Sequence, residues 1–471
     1  MNNETQIFNL KAYEKVLTNY CRLGDCLVMS TSFLKNDSNY KLNQDLVLKA
    51  LVYMQKRHPF LNAHLENHFL KNQVCLKIPH IPNSNRISIE WLDLRDSQVT
   101  RQIIINESAK YFSKKFDFDN ENLQWKIQII EYLKEDNKVS YVMNLVVNML
   151  ISDGLSITCL SGEIVNILNA LIDMRECDEM RIHLKPVDSL HDLCQDLYEK
   201  NKKMKSVNDK NVAKLILPDK FRSNKPGYLL DLFKLDKELV DKIISKSKMN
   251  NIRLSGYFHT VTLYALRRLF IENYELFPSS VPISFPVNLR FRLEPPVDLN
   301  ACRFFTAVCE CSTEREKFGN YENFWEDAKY VHDLIQEHSN PITGSLFNET
   351  HHKFLEVFNQ VCILTGTSQK TLKILNFFHP TKCDLNVSNL GKYVNDFYKE
   401  FDGKFSIREI YCSDLLTSIP RLFSSIVMHI IFWKGDIMFQ TGANNYYLDE
   451  KYFKRLNELI LLMINETLDL T

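Results

Sequence analysis

Tyr141 to Leu160 reads YVMNLVVNMLISDGLSITCL, and the fold turns on how this stretch divides. From Val139 to Met149 runs an apolar segment broken mainly by Asn144 and Asn148, the pattern of a buried strand. Ser152-Asp153-Gly154 interrupts it. From Leu155 onward, Ile157, Leu160, Ile164, Val165 and Leu168 recur on one side of a helix. Strand, Asp-Gly, helix is a geometry that holds side chains at the edge of a sheet. On the residues alone, Asp153 reads as the N-cap of that helix, its carboxylate accepting a free backbone N–H.

The flanks extend the pattern. Upstream, Trp125 to Ile130 reads as a strand, and Glu135-Asp136-Asn137-Lys138 turns it back into the central strand as an antiparallel hairpin. Nearer the N-terminus, Asn9 to Tyr20 reads as a short helix and Leu27 to Phe33 as a strand. Asn43 to Arg57 is an amphipathic helix stopped by His58-Pro59, followed by a strand over Phe60 to Leu65. Arg101 to Phe116 is a further helix. Between Met174 and Asn224 the periodicity loosens into lysine- and asparagine-rich sequence, read as a crossover with a solvated surface. The boundaries that follow are an N-terminal domain over 1–180, a linker over 181–225 and a C-terminal domain over 226–471. The second domain starts with a strand at Leu229 to Phe233 and helices at Asp236 to Lys248 and Gly256 to Phe270, the latter carrying His259. Val281 to Arg290 reads as a buried strand ending in Asn-x-Arg. A hairpin, Ser425 to Trp433 and Ile437 to Thr441, and an amphipathic helix from Asp449 to about Leu468 close the chain.

Composition narrows the class. Of 471 residues 45% are apolar, with 30 Phe and 20 Tyr, enough for large cores and too much for a disordered chain. Lys+Arg and Asp+Glu both number 58, so no net charge draws the chain to nucleic acid or anionic membrane. The 12 glycines form no Gly-rich phosphate loop. The 12 cysteines lack metal-ligand or disulfide-framework spacing and, with the polar start MNNETQIFNL, read as reduced thiols in an intracellular protein. No metal is expected.

The central stretch resembles the acyl-CoA-dependent acyltransferases, in which a strand ends in His-His-x-x-x-Asp-Gly and a helix follows. That superfamily includes the plant BAHD enzymes, the condensation domains and the fungal alcohol acetyltransferases. Asp153-Gly154 match the Asp-Gly, while Asn148 and Met149 stand where the two histidines would be. Further pieces agree in order: His58-Pro59-Phe60-Leu61 with a His-Pro-x-Leu turn, Asn288-Leu289-Arg290 with Asn-x-Arg, and Ser388-Asn389-Leu390-Gly391 with the Ser-Asn-x-Gly segment of the fungal enzymes. The final hairpin agrees too. Among fungal members the chain most resembles the alcohol O-acetyltransferases and the yeast N-acetyltransferase that inactivates the sphingolipid-synthesis inhibitor myriocin.

The resemblance implies an α/β fold of two chloramphenicol acetyltransferase-like domains with mixed sheets and a tunnel between them. It implies acetyl-CoA as cosubstrate, with Ser388, Asn389 and Gly391 on the CoA side and Asn148 and Gly154 lining the tunnel. It pairs Asp153 with Arg290 as a structural lock. The motif's second histidine is the general base, and here that position is Met149, whose thioether takes no proton at neutral pH. No other histidine is followed by aspartate four residues on. His351-His352 precede a glutamate but lack the glycine and the buried strand, and read as a helix surface. His58 and His259 read as structural. Three functions follow: an acetyl-CoA-dependent O- or N-acetyltransferase acting on an alcohol or a long-chain, sphingoid-like amine without the usual base; an inactive homologue that binds CoA or a small hydrophobic ligand; or a scaffold for interactions. The expected setting is a cytoplasmic monomer with peripheral contact at the endoplasmic reticulum, and no nucleic-acid partner.

Overall fold

The computed structural model describes residues 5–11, 14–15, 17–19, 26–38, 40–68, 73–80, 84–95, 98–114, 122–194, 217–223, 225, 227–314, 321–339, 385–392, 402–415 and 426–470. The His351-His352 pair and much of the expected crossover lie outside these residues. The first half contributes β1 (Gln6–Asn9), β2 (Leu27–Asn36), α1 (Gln44–Arg57), β3 (His64–His68), β4 (Gln73–Ile78), β5 (Ile89–Asp93), α2 (Arg101–Ser113), β6 (Trp125–Leu133), β7 (Val139–Asn148) and α3 (Gly154–Ile172). The second half contributes β8 (Tyr228–Leu235), α4 (Lys237–Met249), α5 (Leu254–Glu272), β9 (Ser280–Asn288), β10 (Thr306–Glu314), α6 (Phe324–His338), β11 (Leu385–Gly391), β12 (Phe405–Leu415), β13 (Ile426–Trp433), β14 (Asp436–Asn444) and α7 (Glu450–Asp469).

The strands form a five-stranded sheet in the order β12-β2-β7-β6-β5, a six-stranded sheet in the order β10-β9-β11-β13-β14-β8, and a small sheet β1-β4-β3. The large sheets are mixed: β5–β6, β9–β11 and β11–β13 run parallel and their other pairings antiparallel. Each large sheet has its own hydrophobic core. The first gathers β2, β6, β7 and β12 around α1, α2 and α3; the second gathers α5, α6 and α7 against β9, β11, β13 and β14. This is the two-domain α/β architecture with mixed sheets that the resemblance implies.

The central strand is buried at every position, and its polar breaks are satisfied inside the core. Asn144 accepts from Thr31 Oγ1 and donates to Ser108 Oγ and Gln128 Oε1, each at 2.9 Å, tying β2, β6 and α2 to β7. Buried amides persist where partners surround them in this way. α3 is long and apolar enough to cross a membrane by length and composition, yet 89% of that window is buried within the protein. It is the central helix of the first domain.

Two connections run against the linear division of the chain. β12, from the C-terminal half, pairs antiparallel with β2 from Phe405–Asn36 to Leu415–Leu27 and so completes the first sheet. The segment between β9 and β10 crosses to the first domain, where Leu299 and Cys302 join its core. Local departures from the sequence reading have plain causes. Over 60–65, a 3₁₀ turn at Pro59–Asn62 replaces the start of the strand, because Leu61 and Ala63 donate backward to His58 O and Phe60 O; β3 begins only at His64. Arg290 lies just past β9 and opens a short 3₁₀ turn over Arg290–Arg292 rather than ending the strand.

Candidate functional site

The turn from β7 to α3 brings Asp153 to the helix start. Its carboxylate caps α3, accepting from Ser156 N and Ser156 Oγ at 3.0 Å each. It also takes a paired contact from the second domain. Arg290 Nη1 donates to Asp153 Oδ2 at 2.6 Å and Nη2 to Oδ1 at 3.2 Å. Phe305 N adds a bond at 3.0 Å. The arginine is in turn held by Ser156 Oγ at 2.6 Å and by the carbonyls of Ala301 and Arg303 at 3.2 and 3.3 Å, with its guanidinium 4.6 Å from the centre of the Phe305 ring. Both side chains are removed from water, at 0% and 2% exposure. Burial alone would raise the Asp153 carboxyl; the Arg290 charge and the N–H groups of Ser156 and Phe305 outweigh it and hold the group below the usual carboxylate range. With its oxygens so engaged, Asp153 takes no part in proton transfer. The N-cap reading and the ion-pair reading are both correct.

Asn148 is equally committed. Its Nδ2 donates to Gln124 Oε1 at 2.9 Å, and its Oδ1 accepts from Leu150 N at 2.8 Å. Met149 follows in the turn, buried at 8% exposure and anchored through its backbone N–H to Cys26 O at 2.9 Å. Its side chain belongs to the first core.

Gly154 is where the two halves of the chain meet. A Cβ there would lie 3.2 Å from Leu390 Cδ2 and 3.3 Å from Cys412 Sγ. Leu390 belongs to the Ser388–Gly391 segment on β11, so the Asp-Gly turn and the Ser-Asn-Leu-Gly strand are in direct contact. In that segment Asn389 accepts from Gly391 N at 2.9 Å and donates to Ser255 Oγ at 3.3 Å. Gly391 adopts φ 64°, a left-handed conformation suited to glycine, at the bulge where the strand turns away. Ser388 stands in register with His429 of β13, so their side chains share the sheet face turned toward the first domain.

Three of the buried histidines could be asked to replace the motif base. His259 has Nδ1 2.7 Å from Ser255 O and Nε2 3.5 Å from Ser284 O; burial lowers it to about 4. It is a structural histidine of α5. His58 lies between Glu163 and Cys302, with Nε2 2.5 Å from Glu163 Oε2 and Nδ1 3.3 Å from Cys302 Sγ. His429, which sequence reasoning did not single out, has Nδ1 2.7 Å from Gln440 Oε1 and Nε2 3.3 Å from Asp414 Oδ2. It is the imidazole on the face that carries Ser388, yet both ring nitrogens are occupied. None of the three offers a free nitrogen to an acceptor. Among the described residues no group of His, Cys, Asp and Glu could hold a metal ion.

No protein-family model matches the chain, and no curated protein sequence matches it. Solved structures do. The trichothecene 15-O-acetyltransferase from Fusarium sporotrichioides superposes with a TM-score of 0.66 at 11% identity, over 98% of this chain and 95% of its own. The epimerization domain from the third module of tyrocidine synthetase B gives 0.63 at 12% identity, over 99% and 97%. The first condensation domain of the calcium-dependent antibiotic synthetase gives 0.63 at 9% identity, over 99% and 97%. The fold is that of the condensation domains and their acetyltransferase relatives. At these identities the likeness extends to the fold alone, and it spans both domains.

Proposed function

We propose that this chain is an acetyl-CoA-dependent acyltransferase that acetylates a long-chain amine, the sphingoid-like class, in preference to an alcohol. The observation that carries the reading is the contact of Gly154 with Leu390, which joins the motif turn to the strand assigned to the CoA side. The absence of an imidazole at Met149 selects the acceptor. A positioned general base contributes about 10²–10⁴ in rate, whereas holding acceptor and thioester together can contribute roughly 7–11 kcal/mol. A primary amine supplies neutral nucleophile unaided in mildly alkaline solution; an alcohol does not. In this reading Ser388, Asn389 and Gly391 border the CoA arm, and Asp153 and Arg290 hold the turn without touching substrate. This chemistry fits the resemblance to the fungal alcohol acetyltransferases and to the myriocin-inactivating N-acetyltransferase, with a monomer acting at the cytosolic face of the endoplasmic reticulum.

The test is release of free CoA from acetyl-CoA with panels of medium-chain alcohols and long-chain amines, followed from pH 6 to 9. The expected rate rises with pH toward the amine's own pKa and shows no inflection near 6.5, where an unperturbed histidine base titrates. The occupied nitrogens of His58, His259 and His429 favour one competing reading, an inactive homologue that binds CoA or a small hydrophobic ligand. CoA binding by calorimetry without turnover on any acceptor would select it. Neither binding nor turnover would leave an interaction scaffold.

A further inference from the structure

Cys302, His58 and Glu163 form a chain of contacts that runs from beside the Asp153–Arg290 pair along α3. Cys302 Sγ lies 3.3 Å from His58 Nδ1, and His58 Nε2 lies 2.5 Å from Glu163 Oε2. Arg57 clamps the far side of the glutamate, with Nε 3.1 Å from Oε2 and Nη2 3.3 Å from Oε1. The three groups come from the turn after α1, from α3 and from the segment between β9 and β10, so both domains are needed to build the cluster. Nucleophile, imidazole and an orienting carboxylate in this order are the arrangement that activates a thiol. Glu163 lies 10 residues beyond Asp153 on α3, about 15 Å along the helix axis at 1.5 Å per residue. The carboxylate end is therefore distant from the motif turn, whereas Cys302 lies between the two carbonyls that hold Arg290 and borders the Asp153–Arg290 pair.

We propose that Cys302, held against the His58 ring that Glu163 and Arg57 orient, is a site of oxidation by small hydroperoxides. Cys302 is 5% exposed and His58 1%, burial that excludes an acyl-CoA and makes a small hydroperoxide the class of reagent to test. The sulfur attacks one peroxide oxygen; an S–O bond forms as the O–O bond breaks. Sulfur is oxidised by two electrons to the sulfenic acid, the peroxide is reduced, and the departing oxyanion takes the proton from His58 Nδ1 to leave as water or alcohol. Burial by itself would lower His58, but the Cys302 and Glu163 charges and hydrogen bonds outweigh it and raise the imidazole to about 10. The charged and titratable groups packed around the cluster are Arg57 and His58 at the end of α1, Asp153 at the start of α3, Cys159 and Glu163 on α3, Arg290 and Arg303 on the segment's own flanks, and Glu14, which Arg303 engages. The added oxygen has a consequence for the domain contact, because the carbonyls on either side of Cys302, Ala301 O and Arg303 O, are the ones that hold Arg290.

The experiment treats the folded full-length protein with hydrogen peroxide and traps sulfenic acid with dimedone, with peptide mass analysis at each pH from 6 to 9. Cys309 and Cys311, buried on β10, are internal references. The expected result is that Cys302 is labelled first, at least about tenfold faster than either reference at pH 6.5, with a rate that is flat across the range; an ordinary thiol of pKa near 8.5 gains roughly tenfold per pH unit below it. In Glu163→Gln the flat profile should give way to one that rises with pH. Labelling of Cys302 no faster than the references, or only after unfolding in urea, would make it an inert buried thiol and overturn the proposal. So would a wild-type rate that climbs with pH like a free thiol, a result that needs no variant to fold.

Discussion

Arg290→Met removes the charge that faces Asp153 and keeps a side chain of similar length. Asp153 then retains Ser156 N, Ser156 Oγ, Phe305 N and Thr306 Oγ1 but no countercharge, at a position 3% exposed. Breaking a buried pair from one side costs roughly 3–5 kcal/mol, because the remaining charge stays buried and uncompensated. Replacing both partners, Asp153→Asn with Arg290→Met, should recover a large part of that loss, and the coupling follows from the double-mutant cycle. The pH dependence supplies an independent sign. In the wild type the folded-state pKa of Asp153 is depressed, so its contribution is present above the unfolded value near 3.9 and is lost as pH falls through the lower folded value. In Arg290→Met, burial is opposed only by hydrogen bonds and the folded-state pKa rises above the unfolded one. The sign then reverses: stability is retained below the unfolded value and lost as pH climbs through the raised folded value. The deficit of Arg290→Met relative to wild type, measured by urea unfolding, should therefore be smaller at pH 5 than at pH 7.5. A deficit under about 1 kcal/mol, the scale of an exposed pair, or one that is the same at both pH values, would refute the assignment of this ion pair as the lock between domains.

Met149→His should install an imidazole at the motif position and raise acetylation of amines or alcohols by about 10²-fold or more, the increment of a general base, measured as CoA release; unchanged rates with CoA bound would move the inactive homologue to first place. Gly154→Ala places a methyl 3.2 Å from Leu390 and 3.3 Å from Cys412, so it should weaken CoA binding by calorimetry through displacement of the Ser388–Gly391 strand while the protein still folds. Gly403→Ala would drive a methyl into the Asn169 side chain, which holds Phe405 at both its N–H and its carbonyl; a loss of about 1–3 kcal/mol in urea unfolding is expected.

The parts of the fold that were legible in the sequence are those whose signal is local. The β6–β7 hairpin, the β7-turn-α3 unit, the hairpin of β13 and β14 and the helix α7 all fall close to the ranges that periodicity implies. β10, β12 and α6 were not assigned from the sequence at all. β12 takes its identity from β2, a strand nearly four hundred residues away in the chain, and no window along the sequence contains that partner. The Asp153–Arg290 pair could be named because the motif supplied it; spacing alone could not have joined the two. The grouping of Cys302 and Glu163 with His58 was missed for the same reason as that of His429 with Asp414, since each set assembles from separate segments. One signal was available. Glu163 is the one carboxylate within a largely apolar helix, and a carboxylate buried there has to be paired with a cation. Asking what Glu163 is paired with leads to Arg57 and His58, which end the helix before the Pro59 turn.

The segment between β9 and β10 explains how the motif can be complete in structure and incomplete in chemistry. It sends two buried arginines into the first domain. Arg290 engages Asp153, and Arg303 engages Glu14 at 3.1 and 2.7 Å, donates to Val187 O at 2.6 Å and lies 5.1 Å from the Phe60 ring centre. Removing either acid would strand a buried guanidinium, and that penalty falls on folding whether or not an acyl group is ever transferred. The presence of Asp153 and Gly154 therefore says that the two domains need each other, and nothing about turnover. Met149 is free of any such demand: its backbone holds the turn to Cys26 O, and no charge depends on its side chain. The catalytic question is concentrated in that one side chain, and for this reason the Met149→His substitution separates a working acyltransferase from a preserved shell more cleanly than any change at Asp153.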